Sequence, residues 1–406
     1  MKGNAAGRWA RHSGESGTVH CTDRRPAKGS VSPAPNTVES PARCHSATAA
    51  EQCSSPAEPR DRKETFRLAR RRVVNLQSRI VSRLARAGRQ AGVLPIRPAV
   101  LMYHRIATDR VDPWGLAVSA ARLDEQLLWL TEHTKVLPLP EFARLHRASR
   151  LPARAVAITF DDGYACNATI AAPLLEAHRA PATIFLTTAP LLAGREFWWD
   201  DLQRIVFATT ADRLDIRSGD RRMSVELGSP VGGGAEWLSG SAPGNRRQEA
   251  YMELWRAVRS LEPADQTATL AELRAQAGIA LEPRESHRPM TMAELKTLSR
   301  SAVIDFGCHT ATHPALTERS EAVQRTEIEQ GRQACEDMIG RMPTTFAYPF
   351  GDHDPATVAL VRAAGFAAAC TTDPAAVTAG CDVLALPRLQ VKDWSADRLA
   401  RELRAL

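Results

Sequence analysis

Two adjacent carboxylates, Asp161 and Asp162, follow the apolar run Ala155-Val156-Ala157-Ile158, and two histidines, His309 and His313, follow a second strand-like run at 302–308. One carboxylate and two neutral imidazoles make three protein ligands for a divalent ion such as zinc. They leave a fourth position to water, as catalytic rather than structural sites do. The remaining carboxylate can take a proton from that water. Each half of the pattern is common alone, since Asp-Asp-Gly makes tight turns and His-x-x-x-His puts two histidines one turn apart on a helix surface. Their joint appearance, each directly after a short apolar run, places them where parallel sheets carry their chemistry, at the carboxyl ends of strands.

Those strands belong to an alternating pattern. Strand-like segments at 98–103, 135–138, 155–160, 183–188, 302–308, 344–348, 367–371 and 383–389 are separated by helical patterns at 120–133, 166–178, 199–208, 291–300, 318–339 and 355–363. Such alternation predicts a parallel α/β sheet. Residues 194–288 read as an insertion between two of its units, opening on Phe197-Trp198-Trp199-Asp200-Asp201 and continuing through a flexible stretch (228–244) into helix-like segments at 248–261 and 264–277. The expectation for Trp199 is packing at a helix start. Trp198 is open between packing and stacking on a sugar ring.

With 406 residues, 44% of them hydrophobic, the chain can bury a large core. Its net charge of +7 is unevenly spread: residues 1–100 hold 19 Lys and Arg against 7 Asp and Glu, leaving 34 basic and 39 acidic residues in the other 306. No basic stripe with interleaved aromatics crosses the body, which argues against a nucleic-acid partner. Eight scattered cysteines, none in a Cys-x-x-Cys pair, suit reduced thiols and a cytoplasmic setting. Cys308 beside His309 is expected to face away from the site, because neighbours in a strand point oppositely. The sequence has no run of about 18 apolar residues and no apolar signal core near Met1. Residues 1–63 are poor in large apolar side chains and read as a disordered basic arm. Residues 64–92 hold a basic amphipathic helix, with Phe66, Val73, Leu76, Ile80 and Leu84 on one face and arginines on the other. Packing on the body and peripheral contact with the anionic inner face of a membrane, through 66–89, fit it equally. The rest, 93–406, is one catalytic domain.

The segments Thr159-Phe160-Asp161-Asp162-Gly163-Tyr164, His309-Thr310-Ala311-Thr312-His313-Pro314 and Phe346-Ala347-Tyr348-Pro349-Phe350-Gly351 resemble, in order, three motifs of the polysaccharide deacetylases, carbohydrate esterase family four, also called NodB-like. The opening Val100-Leu101-Met102-Tyr103-His104-Arg105-Ile106 resembles its bacterial members too. The resemblance implies a distorted, incomplete (β/α) barrel carrying a helical insertion. It implies Asp161 as catalytic base and Asp162, His309 and His313 as ligands of one divalent ion, with zinc expected and cobalt or nickel also suited. It implies the backbone N–H of Phe350 as the oxyanion donor. Two departures matter. Ala347 stands where many members have an arginine that holds the base, and Arg388 is the expected substitute. No late Leu-x-His supplies a general acid, and His104, at the end of a strand that barrel closure sets beside the last one, is expected to fill that place. His353 is expected on a loop surface. The implied activity is removal of N-acetyl groups from an amino-sugar glycan or a lipid-linked sugar, in cell-envelope or exopolysaccharide metabolism. An O-acetyl esterase on the same site and an inactive glycan-binding protein are the competing readings.

Overall fold

The computed structural model describes residues 95–109, 111–218, 221–230 and 237–406. The expected arm at 1–63, the helix at 64–92 and its membrane contact lie outside the described residues. From the amino end the described chain runs β1 (Ala99–Tyr103), β2 (Arg105–Ile106), β3 (Ala117–Val118), α1 (Ala120–His133), β4 (Lys135–Val136), α2 (Leu139–Arg147), β5 (Ala155–Phe160), α3 (Ala172–Ala177), β6 (Ala182–Leu186), α4 (Thr188–Ala193) and α5 (Trp198–Ala208). It continues through β7 (Arg213–Ser218), β8 (Arg221–Glu226), α6 (Arg246–Arg259), α7 (Pro263–Ala277), α8 (Met292–Leu298), β9 (Ile304–Cys308), α9 (Glu321–Ile339), β10 (Thr345–Ala347), α10 (Pro355–Ala363), β11 (Ala368–Cys370), β12 (Arg388–Gln390) and α11 (Ala396–Ala405). Local chemistry sets several helix starts. Ser119 accepts from the Arg122 N–H to open α1, Asp354 does the same for α10 just ahead of Pro355, and Thr291 with Glu294 forms a reciprocal capping box on α8. No helix among the described residues is long and apolar enough to cross a membrane.

Seven strands in the order β11-β10-β9-β6-β5-β1-β12 pair in parallel, with β4 added beside β5. The ring closes further through a parallel bridge between Cys370 and Leu386, two residues ahead of β12. The result is a nearly closed parallel barrel. β1, β5 and β6 are buried throughout because both of their faces are covered, and they are apolar but for Thr159 and Thr183. Alternation along each strand then sorts side chains into two cores. Leu101, Tyr103, Ile158, Phe160, Ile184 and Phe306 pack in the larger core that includes helix residues such as Leu123, Leu127 and Leu175. Val100, Ala157, Phe185, Ala347, Cys370 and Leu386, from strands around the ring, meet one another inside it, with Leu139 and Phe142 of α2 in the same cluster.

Three features correct the sequence reading. The segment 139–147, left unassigned there, is the helix α2: Pro140 is tolerated in a first turn, and Leu139, Phe142, Ala143 and His146 are buried at helical spacing. The insertion is not purely helical, since β7 and β8 form an antiparallel hairpin whose Leu214, Ile216 and Val225 are buried while charged residues alternate with them. The expected last strand at 383–389 is reduced to 388–390, because the stretch before it turns to run along β11.

Candidate active site

Asp161 and Asp162 leave the carboxyl end of β5, where the Asp161 N–H donates to the Tyr103 carbonyl of β1 at 2.9 Å. Inward alternation of Ala157 and Thr159 carries the Asp161 side chain over the barrel axis. Arg388, on β12 and fully buried, reaches it with both terminal nitrogens: Nη1 donates to Oδ1 and Nη2 to Oδ2, each at 2.7 Å. The guanidinium is held in turn by the Thr371 carbonyl (2.7 Å) and Thr159 Oγ1 (3.1 Å). Burial alone would push the Asp161 carboxyl up, but the Arg388 guanidinium outweighs it and holds the group well below the usual carboxylate range. The structure therefore brings Arg388 to Asp161, as the sequence led us to expect.

Asp162, His309 and His313 converge from the other side, with one ligand atom from each lying within 4.8 Å of the others. His309 Nε2 is 3.6 Å and His313 Nε2 3.7 Å from Asp162 Oδ1. That oxygen is buried without a hydrogen-bond partner. Burial, with Asp161 and Asp200 nearby, pushes the Asp162 carboxyl well up. Burial keeps both imidazoles neutral by driving their pKa down, and at His313 the neighbouring His309 adds to the effect. His309 Nδ1 lies 2.7 Å from the Ala347 carbonyl, so it carries the proton and leaves the Nε2 lone pair facing Asp162. An orphaned carboxylate oxygen facing two neutral imidazoles fits a divalent cation, and these three residues would hold it. Cys308 faces the opposite core and is no part of the set.

The loop that carries the histidines is shaped from behind by α9. Glu327 accepts from the N–H groups of Ala311 (3.1 Å) and Thr312 (2.8 Å) and from the Thr312 hydroxyl (2.7 Å). Gly331, one turn on, lies so close that a Cβ there would sit 2.6 Å from the Thr310 carbonyl carbon. The His313 N–H donates to Thr310 Oγ1 at 3.0 Å. Of the seven described non-glycine residues with positive φ, four are at the site: Asp162 (74°), Thr310 (65°), His313 (64°) and Phe350 (59°). Such backbone costs about 1–3 kcal/mol per residue and persists where surrounding contacts over-determine it. Neither Glu327 nor Gly331 announces itself in sequence, because their partner is a loop 15 or more residues away.

Above the two carboxylates lies a cavity of about 340 Å³, with His104, Asp161, Asp162, His309 and His313 in its lining and Trp114, Trp199, Trp255 and Phe350 around them. His104 Nε2 is 4.0 Å from Asp161 Oδ2, and its Nδ1 has no partner. Burial pushes its pKa down to about 4. Phe350 turns tightly: its carbonyl accepts from Thr372 Oγ1 at 3.1 Å, and a Cβ on Gly351 (φ 74°) would meet that hydroxyl at 2.1 Å. Trp199 does more than the helix packing expected of it. It stacks on Phe197, donates to the Tyr164 hydroxyl at 2.9 Å, and sets its ring 4.5 Å from that of His313. Tyr164 donates onward to Asp200 at 2.6 Å. Trp198 packs against Trp255 and Phe350. His353 is half-buried against Tyr348 and does not line this cavity.

The family model described as polysaccharide deacetylase matches residues 148–208 and 261–369. Among curated proteins, the poly-beta-1,6-N-acetyl-D-glucosamine N-deacetylase of Escherichia coli strain K12 is 32% identical over 84 residues, which is 20% of this chain and 12% of that protein. The chain thus matches only a small part of that relative's length. Solved structures similar to it include the Streptococcus pyogenes deacetylase PplD in complex with acetate, at 18% identity over 76% of this chain and 99% of that one, with a TM-score of 0.49. IcaB from Ammonifex degensii is 17% identical over 76% and 97% of the two chains, with a TM-score of 0.47. With Asp161, Asp162, His309 and His313 all inside the matched residues, the chain belongs to the polysaccharide deacetylase family.

Proposed function

We propose that this chain is a metal-dependent hydrolase that removes N-acetyl groups from an amino-sugar glycan in cell-envelope or exopolysaccharide metabolism. The observation that carries the reading is an ionised carboxylate, Asp161, clamped by two 2.7 Å bonds beside the buried set Asp162, His309 and His313. When bound there, a divalent ion supplies Lewis acidity, polarising an oxygen of the substrate and making a coordinated water easier to deprotonate. Asp161 accepts the proton of the attacking water. A carboxylate held so low is a weak base, so it serves only a water whose own pKa has been lowered. His104, neutral at rest and 4.0 Å from Asp161 Oδ2, stands where a proton can pass on toward the departing amine. The Phe350 N–H, in a turn fixed by Thr372 and Gly351, donates to the oxyanion. The activity named for the E. coli relative supports an N-acetyl over an O-acetyl target.

The test is acetate release from matched N-acetylated and O-acetylated sugars, after chelation and after adding back zinc, cobalt or nickel. Release from the N-acetylated set that vanishes on chelation and returns with metal is expected. Release from the O-acetylated set alone would make the protein an esterase, and metal binding without turnover on either would leave a glycan-binding protein.

A further inference from the structure

The family model leaves residues 209–260 unmatched, and α6 lies in that stretch. Tyr251, Trp255 and Arg259 recur every fourth residue and so share one face of α6. That face meets the active site along its length. The Tyr251 hydroxyl accepts from Trp114 Nε1 at 2.8 Å. Trp255 sets its ring 4.6 Å from Trp114, 5.7 Å from Trp198 and 6.0 Å from Phe350. The Arg259 guanidinium lies 4.9 Å over the Phe350 ring and pairs with Glu318 (2.5 Å) and Asp352 (3.7 Å). A second part of the same stretch ties to the loop before β3, where the Ser239 N–H donates to the Pro113 carbonyl at 2.7 Å.

α6 therefore bridges the turn that carries Trp114 and the turn that carries Phe350. The cavity it walls is lined from β1, the loop before β3, α5, α6, the turn after β10, the second residue after β11, and β12. About 340 Å³ holds on the order of one acetylated hexosamine at the density of a filled site. Among the described residues that line the cavity Arg259 is the only arginine or lysine, and it already faces two carboxylates, so the described wall presents aromatic faces to the sugar.

Resting on the deacetylase reading above, we infer that α6 makes this a pocket for one terminal, uncharged N-acetylhexosamine residue, and that the protein deacetylates glycan chain ends rather than interior residues. The full chain with added zinc is incubated with N-acetylglucosamine pentamers, β-1,4-linked in one arm and β-1,6-linked in the other, and tandem mass spectrometry locates each free amine. The expected result is one amine per pentamer, at a terminal residue. Trp255→Ala should raise the ratio of interior to terminal amines at least tenfold; the milder Trp255→Leu serves if that variant does not fold. Interior or multiple amines from the wild type, at rates similar to the terminal one, overturn the inference and leave the deacetylase reading standing. No acetate from either pentamer also overturns the inference, and it defeats the deacetylase reading with it if the N-acetylated sugars of the earlier test release none.

Discussion

Replacing Arg388 with methionine removes the clamp on Asp161 while keeping much of its apolar volume, and the cost follows from what is left behind. Both side chains are almost wholly buried, at 0% and 3% exposure, and share two bonds of 2.7 Å. Breaking such a pair from one side strands a charge in the interior, which costs about 3–5 kcal/mol at neutral pH. Asp161→Asn strands the arginine instead and should cost a similar amount. In the double variant neither charge remains, so the penalties should fall short of additivity by about 2–3 kcal/mol, the upper range for groups in direct contact. Because the pair depresses the Asp161 pKa in the folded state, its contribution is fully present above the unfolded value of about 3.9. It is lost as pH falls through the lower folded value, so the gap between wild type and Arg388→Met should close in acid. The assay is urea unfolding with a chelator present, which removes any stabilisation by bound metal. A loss under about 1 kcal/mol for Arg388→Met, or strict additivity in the double variant, would refute a buried, mutually neutralising pair.

Further outcomes follow from the neighbouring contacts. His309→Ala and His313→Ala each delete one ligand of three, and elemental analysis should find metal lost together with turnover. Asp162→Asn should behave likewise, whereas Asp161→Asn should keep its metal and lose turnover by about 10²-fold or more, as expected on removal of a general base; the reverse pattern would exchange their roles. Gly351→Ala forces a Cβ into the Thr372 hydroxyl at 2.1 Å and a side chain onto a left-handed turn. It should cost stability by about 1–3 kcal/mol by thermal unfolding, and most of the activity. Glu327→Gln keeps one acceptor oxygen where two carboxylate oxygens now serve three donors, so metal affinity measured by competition with a chelator should fall about 10-fold or more with the fold intact.

The chemistry was more legible in the sequence than the walls around it. Asp161, Asp162, His309 and His313 sit next to apolar runs that read as strands, so their position at strand ends follows from local pattern alone. Arg388 and His104 were within reach only because a barrel makes its first and last strands neighbours, and β1 does pair with β12. What was hidden depends on contacts with no local signature. Trp199 has helix-start packing and a place on the cavity wall at once, and the sequence displays only the first. Trp255 and Arg259 fall in a segment that reads only as helix-like, and nothing local shows that Arg259 lies on an aromatic ring. The hairpin β7–β8 was masked by the arginines that alternate with its apolar residues.

The clamp on Asp161 joins residues 227 positions apart, and its arginine lies on the strand that brings the ring to closure. Loop-closure entropy makes contacts of such long sequence separation slow to form. During synthesis the β5 carboxylates and the histidine loop emerge well before Arg388, so a partly made chain holds Asp161 without its counter-charge. Completion of the barrel is then also the event that clamps Asp161, and a ribosome-stalled chain ending short of residue 388 is expected to be inert however well its earlier strands have paired.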